Sequence, residues 1–272
     1  MPNPMLIIAQ KEFADGWRQR WLLCAAVIFA LLSLAVTFFG SAVNGQLVVP
    51  ELAPAISALA TLAAFVIPLI ALLLGHDSVV GEQEGGTLLL LLSYPISRNQ
   101  LLLGKFVGQG AILATTCVLG FGTTALMMML FSAVAWPLLI AAFALFIVSA
   151  TLLSWLFLLF SYLISLSVSS KGRALAAGLL LWFLLVLLYD LALLAMIVAG
   201  GEALWLKVLI LANPVDLFRL TNLLYVGHDS MVGVLNIVTT SSVSVMMLLA
   251  GLLLWLALAL LANLVRFQRW VI

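Results

Sequence analysis

Charge is what this sequence has least of. Asp, Glu, Lys and Arg together make up 8% of its 272 residues, while 66% are hydrophobic. Too few polar side chains are present to cover a folded surface of that size, so a water-soluble domain is excluded. The net charge is +1 and no long basic or acidic run occurs, which leaves nothing to hold a nucleic acid. Cysteine is nearly absent. Cys24 and Cys117 both fall inside apolar runs and offer neither a disulfide framework nor metal-type spacing. There is no HExxH helix and no Cys/His cluster. The Gly104-Lys105 pair is not a nucleotide-binding loop, because Asn99 stands where that motif requires a glycine. No catalytic residue, bound cofactor or metal site is therefore expected in this chain.

What is present is hydrophobic length. Six apolar runs are each long enough to cross a bilayer, which takes about 20 helical residues. They lie at about Trp21 to Gly40, Ala53 to Gly75, Lys105 to Phe131, Leu138 to Ser165, Ala174 to Ala199 and Val243 to Val265. The expected fold is an all-α integral membrane protein, residues 1–272 forming one transmembrane domain. Residues 1–20 are amphipathic and do not have the order of a cleavable signal, whose positive charges precede its apolar core. Asn3-Pro4 is a helix start. Leu6, Phe13 and Trp17 then share one face, with Lys11, Glu12, Asp15 and Arg18 polar, so this segment reads as a helix in the lipid headgroup region, anchored by Trp17 and Trp21.

Basic residues orient the chain. Lys11, Arg18, Arg20, Arg98, Lys105, Lys171, Arg173, Arg266 and Arg269 fall on one side, and only Lys207 and Arg219 on the other. Since Lys and Arg accumulate on the cytoplasmic side, both termini and the loop between spans 2 and 3 are expected there. That loop region, residues 76–104, contains the most telling stretch, "GEQEGGTLLLLLSYPISRNQLLLGK". Five leucines are too few to span and too many to leave uncovered. Glu82 and Glu84 precede them, suiting the N-terminus of a short helix, and Pro95 ends it. Such a helix either lies on lipid or docks a soluble partner.

Residues 200–242 form the other sizeable segment outside the spans. Asn213-Pro214 with Asp216 repeats the helix-start signal, and Leu217, Leu220, Leu223 and Leu224 give the following turns an apolar face. Asn213, Pro214, Asp216, Arg219 and Asn222 are candidates for docking a partner outside. In span 3, Gly104, Gly108 and Gly120, with Thr116 and Thr124, make a stripe of small residues. It serves packing within the chain or a seam between two copies. Asp190 is the one acid deep in an apolar run, about 24 Å along span 5. Two roles are open to it: structural, paired with Lys207 or Arg219, or a charge-dependent gate. Met127, Met128, Met129, Met246 and Met247 gather toward the outer side, as thioether ligands for Cu(I) or as adaptable packing. No histidine falls within a span; His76 and His228 flank them.

The N-terminal "AQKEFADGWRQRWLL" and the glutamate-glycine-threonine-leucine loop resemble the ABC-2 type permeases. In that family this loop is a coupling helix seated in a groove of the ATPase. The resemblance assigns ATPase coupling to Gly81, Glu82, Glu84, Gly85, Gly86, Thr87, Leu88, Leu90, Pro95 and Arg98. More narrowly, "LLYDLALL" and "ANPVDLFRLTNLL", with the loop, are similar to the permease subunits of transporters that mature nitrous oxide reductase. That implies a type V ABC fold and two copies of this chain in membrane lipid. It also implies a cytoplasmic ATPase dimer binding ATP and Mg, and a periplasmic copper-binding β-helix protein that handles the copper. A general ABC-2 exporter of a lipid, glycan or drug would share the coupling loop. Because the middle of the membrane holds so few metal ligands, the expected mechanism is mechanical transmission rather than conduction of copper.

Overall fold

The computed structural model describes residues 4–39, 51–200, 203–227 and 244–269, and among these the fold is helical without a strand. Helix α1 (Pro4–Arg18) leads into α2 (Trp21–Leu34), which tightens into a π-helical turn at Ala35–Phe39. Asn3 and the side chain of Trp21 lie outside the described residues. Between α1 and α2 the axis bends by 63°, and Arg20 takes the corner at φ 57°. A side chain in that left-handed region costs about 1–2 kcal/mol, so packing on both sides must hold the bend.

The remaining elements are α3 (Leu52–Gly75), α4 (Val80–Glu84), α5 (Thr87–Ser93), α6 (Arg98–Phe131) and α7 (Trp136–Ser165). Then come α8 (Lys171–Trp182), a π turn at Phe183–Leu188, α9 (Tyr189–Val198), α10 (Ala203–Ala212), α11 (Pro214–Val226) and α12 (Val245–Arg269). Five helical stretches among the described residues are individually long and apolar enough to cross a membrane, or six if the bent pair α1–α2 is counted as one span. Helix α6 starts at Arg98 rather than Lys105. A reciprocal cap explains this: Ser97 Oγ accepts from the Gln100 backbone N–H, and Gln100 Oε1 accepts from that of Ser97. Its 34 residues rise about 51 Å, well beyond the ~30 Å of a hydrocarbon core.

Helix α7 is the hub. It packs on α3, α6, α8, α11 and α12, and its most apolar stretch is as buried as that of α3, whereas few residues of Lys171–Val198 or α12 are buried. Aromatic rings link the layers: Phe121 of α6 meets Phe29 of α2 at 5.2 Å and Phe146 of α7 at 4.9 Å, and Phe146 meets Phe218 of α11 at 5.7 Å. Each such pair contributes about 0.5–1.5 kcal/mol beyond its area.

The small-residue stripe of α6 is filled by this chain's own N-terminal helices. Gly104 lies against Ile8 and the Met5 carbonyl, Gly108 against the Ala9 carbonyl and Glu12, and Gly120 against Phe29. Thr124 shares a 2.6 Å hydrogen bond with Ser33 of α2. Helices α1 and α2 of the same chain occupy these three glycines, which is the packing role of the two open to them. Helix α1 is correspondingly amphipathic in an unexpected sense. Leu6, Ile7 and Trp17 point outward, while Ala9, Glu12 and Gly16 face α6.

Candidate functional site

The Gly81 to Lys105 stretch folds as two short helices, not one. Gly86 takes φ 69° and divides α4 from α5, so Glu82 and Glu84 belong to the turn before the leucines rather than to their helix. A glycine is the residue that adopts this conformation without a steric penalty.

Glu82 turns inward. Its Oε1 is 2.7 Å from Lys105 Nζ, which also reaches Glu12 Oε1 of α1 at 3.0 Å. Lys105 is only 5% exposed. Removing an ammonium from water costs several kcal/mol unless it is paired and hydrogen-bonded, and two carboxylates meet that need. Gln109 extends the cluster: its Nε2 donates to Glu12 Oε2 at 3.1 Å, and its Oε1 accepts from Ser78 at 3.0 Å and Tyr162 at 2.9 Å. Burial pushes the Glu12 carboxyl up, but the Lys105 charge, its hydrogen bond, Lys11 and Gln109 outweigh it, and the net shift is downward from the ordinary 4.5.

Two further ties hold the loop. Ser165 Oγ of α7 accepts from the backbone N–H of Val79 and Val80 at 3.2 and 3.0 Å. Glu84 Oε1 accepts from the Lys171 backbone N–H at 3.2 Å, at the start of α8. Gly81 packs so closely on Lys171 that an added Cβ would lie 3.0 Å from its Cε. A polar cavity of about 310 Å³ lies beneath, lined by Glu12, Asp77, Glu82, Lys105 and Lys171 among others.

The other face of the loop is open. Glu84, Gly85, Gly86, Thr87, Leu90, Tyr94 and Pro95 are exposed, Leu90 by 65% and Tyr94 by 64%. Leu88 is buried, and the side chains of Leu89 and Leu92 lie outside the described ones. Arg98 bends away from this face, donating to the carbonyls of Phe267 and Gln268 at the end of α12. Of the residues assigned to coupling, Gly81, Glu82, Glu84 and Leu88 hold the loop, Arg98 ties the start of α6 to the end of α12, and Gly85, Gly86, Thr87, Leu90 and Pro95 are exposed. Lys105, Gln109, Tyr162 and Ser165 are joined to the loop only by the fold, across separations that no sequence spacing signals.

At the opposite end, α10 and α11 form a hairpin against span 5. Asn213 caps α11 through the Val215 N–H at 3.0 Å and donates to the Leu185 carbonyl inside the π turn at 3.1 Å. Tyr189 donates to the Leu209 carbonyl at 2.6 Å. Asn222 donates to Ser149 Oγ at 3.0 Å and to the Phe218 carbonyl at 2.8 Å. Asp190 pairs with Arg219 at 2.6 Å, Asp216 stands 3.4 Å from the same nitrogen, and the Phe65 ring lies 5.5 Å from the guanidinium. The expectation that Asn213, Pro214, Asp216, Arg219 and Asn222 form an external docking surface is corrected here. All five face the inside of the bundle, because α11 packs among α3, α7 and α12, and a capping signal locates a helix start without saying which way its sides point.

The methionines do not converge either. Met128 is buried, whereas Met127, Met246 and Met247 are exposed. Among the described residues no group of three His, Cys, Asp or Glu is placed to hold a metal, and His228 lies outside them.

A family model described as an ABC-2 family transporter protein matches residues 6–270. A protein of Stutzerimonas stutzeri named "Probable ABC transporter permease protein NosY" is 44% identical over 272 residues, covering 98% of this chain and 99% of that one. A protein of the same name from Pseudomonas aeruginosa is 46% identical over 257 residues, 93% of this chain and 94% of that one.

Proposed function

The chain belongs to the ABC-2 transporter family and is a permease of an ABC transporter; from that premise we propose that it serves the complex assembling the copper centres of nitrous oxide reductase. The near full-length likeness to two NosY permeases supports this reading over a general exporter. ATP and Mg are bound by a separate cytoplasmic ATPase dimer, which seats the loop of each of two permease copies in the inner membrane. The nine-to-two division of basic residues supports placing both termini and the loop on the cytoplasmic side.

One observation carries the coupling role. The loop offers Leu90 and Tyr94 outward while Lys105, Ser165 and Glu84 tie it to α1, α6, α7 and α8, so a push on its outer face is delivered to several helices together. At the far end, the exposed Trp205 and Val208 of α10 replace the inward-facing α11 residues as the surface for a periplasmic copper-binding β-helix partner. Copper is the cargo of that partner, and this chain transmits motion. The test is copurification of the ATPase with Leu90→Asp. Loss of the ATPase with an intact membrane domain is expected, and undiminished copurification overturns the seating.

A further inference from the structure

Around Arg219 two carboxylates and one cation meet, and among the described residues the helices packed on them add almost no other charge. Asp190 comes from span 5, Asp216 and Arg219 from α11. Helices α3 and α7, which pack on α11, contain no Asp, Glu, Lys, Arg or His, and α12 carries only Arg266 and Arg269, in its last turn. Tyr189 is the other titratable group facing Asp216, and its hydroxyl is engaged by the Leu209 carbonyl. On α10 the sequence places one cation, Lys207, whose side chain lies outside the described ones.

The two acids are treated unequally. Arg219 is drawn to Asp190 at 2.6 Å and reaches only Oδ1 of Asp216, at 3.4 Å. Asp216 is 5% exposed at its side chain, and its Oδ2 is buried without a hydrogen-bond partner among the described residues. A bare carboxylate charge in that position carries a far larger desolvation cost than a neutral carboxyl.

We propose that Asp216 is a proton-binding site, the neutral acid of the cluster in this conformation, and that its proton decides whether Arg219 belongs to Asp190 alone or is shared between α11 and span 5. Burial first, and then the neighbouring Asp190 charge, push the Asp216 carboxyl up to about 7, against the opposing pull of Arg219 and Asn213. Loss of the proton draws Arg219 back toward its own helix and loosens the ion pair that ties the hairpin to span 5.

The experiment is infrared difference spectroscopy of the full chain in lipid nanodiscs, titrated from pH 5 to pH 9. The expected result is a protonated-carboxyl stretch that disappears with a midpoint near 7 and is absent in Asp216→Asn. In Asp190→Asn, which keeps Asp216 buried but removes the adjacent negative charge, the midpoint moves to lower pH. A band that survives in Asp216→Asn, or a midpoint in the ordinary carboxylate range, overturns the assignment. So does an Asp190→Asn variant whose midpoint stays in place or rises.

Discussion

At each end of the bundle one cation stands between two carboxylates, and the two clusters are held in opposite ways. At the loop end Lys105 lies 2.7 and 3.0 Å from its acids, Gln109 adds a donor to Glu12, and Lys11 stands 3.3 Å from the same carboxylate. At the hairpin end Arg219 lies 2.6 Å from one acid and 3.4 Å from the other; one oxygen of Asp216, like Oε2 of Glu82 at the loop end, has no hydrogen-bond partner among the described residues. Glu12 is displaced downward and Asp216 up to about 7. Two cations serve two acids at the loop end and one cation serves two at the hairpin end, and that supply of positive charge, with the depth of burial, decides which acid keeps its proton.

The sharpest way to break this comparison is to remove each cation. Lys105→Met leaves the inward-facing Glu82 without its cation and Glu12 with only Lys11 and Gln109, and should destabilise the chain by about 3–5 kcal/mol. Arg219→Met should cost clearly less, because Asp216 is neutral and Asp190 is 32% exposed and reaches solvent. Thermal unfolding in matched detergent orders the two variants, and equal losses would end the distinction.

A smaller effect is expected from Gly108→Ala. The new Cβ would lie 2.6 Å from the Ala9 carbonyl oxygen, a backbone atom that cannot swing aside. Forcing α1 from α6 pulls Glu12 off Lys105, for a loss of about 1–3 kcal/mol, while the hairpin end stays as it was. Limited proteolysis should show α1 released in the variant and α10–α11 equally protected in both.

The smallest effect is a difference in pH response. Because the Glu12 carboxyl lies below its unfolded value of 4.5, its contribution is present above that value and lost as pH falls through the depressed one. Asp216 lies above its unfolded value of 3.8, so the folded state holds a proton that the unfolded state has released. Stability therefore declines as pH rises from about 4 to about 7 and then levels. Melting temperature across that range should fall in the wild type and flatten in Asp216→Asn. Glu12→Gln should change only the acid limb.

The long apolar helices and the short helices between α3 and α6 were legible because hydrophobic length and Gly/Pro punctuation are local signals. Gly86, visible in the sequence, divides α4 from α5, yet the carboxylates were read as one helix with the leucines because acid-before-apolar is also a helix-start pattern. The Lys105–Glu12 pair joins residues 93 apart, a separation no periodicity reveals. Asp190 had two candidate partners by side of the membrane, and only geometry selects Arg219. On α11 the leucines at 217, 220 and 223 are buried as their spacing implies, but Asp216 and Asn222 are buried too, since the helix is enclosed by three others. A single amphipathic face cannot be read from a helix covered all round.

Arg98 closes the molecule on itself by donating to two carbonyls at the end of α12, 169 and 170 residues later in the chain. In the order of synthesis, residue 98 leaves the ribosome long before residue 267, and domains form from the N-terminus onward. The last helix therefore arrives to find a guanidinium already waiting for its unsatisfied terminal carbonyls. Ring closure over so long a loop adds little beyond a short one, because the entropy of closure grows only with the logarithm of length. The contact that joins the final span to the third forms only once nearly the whole chain has been made.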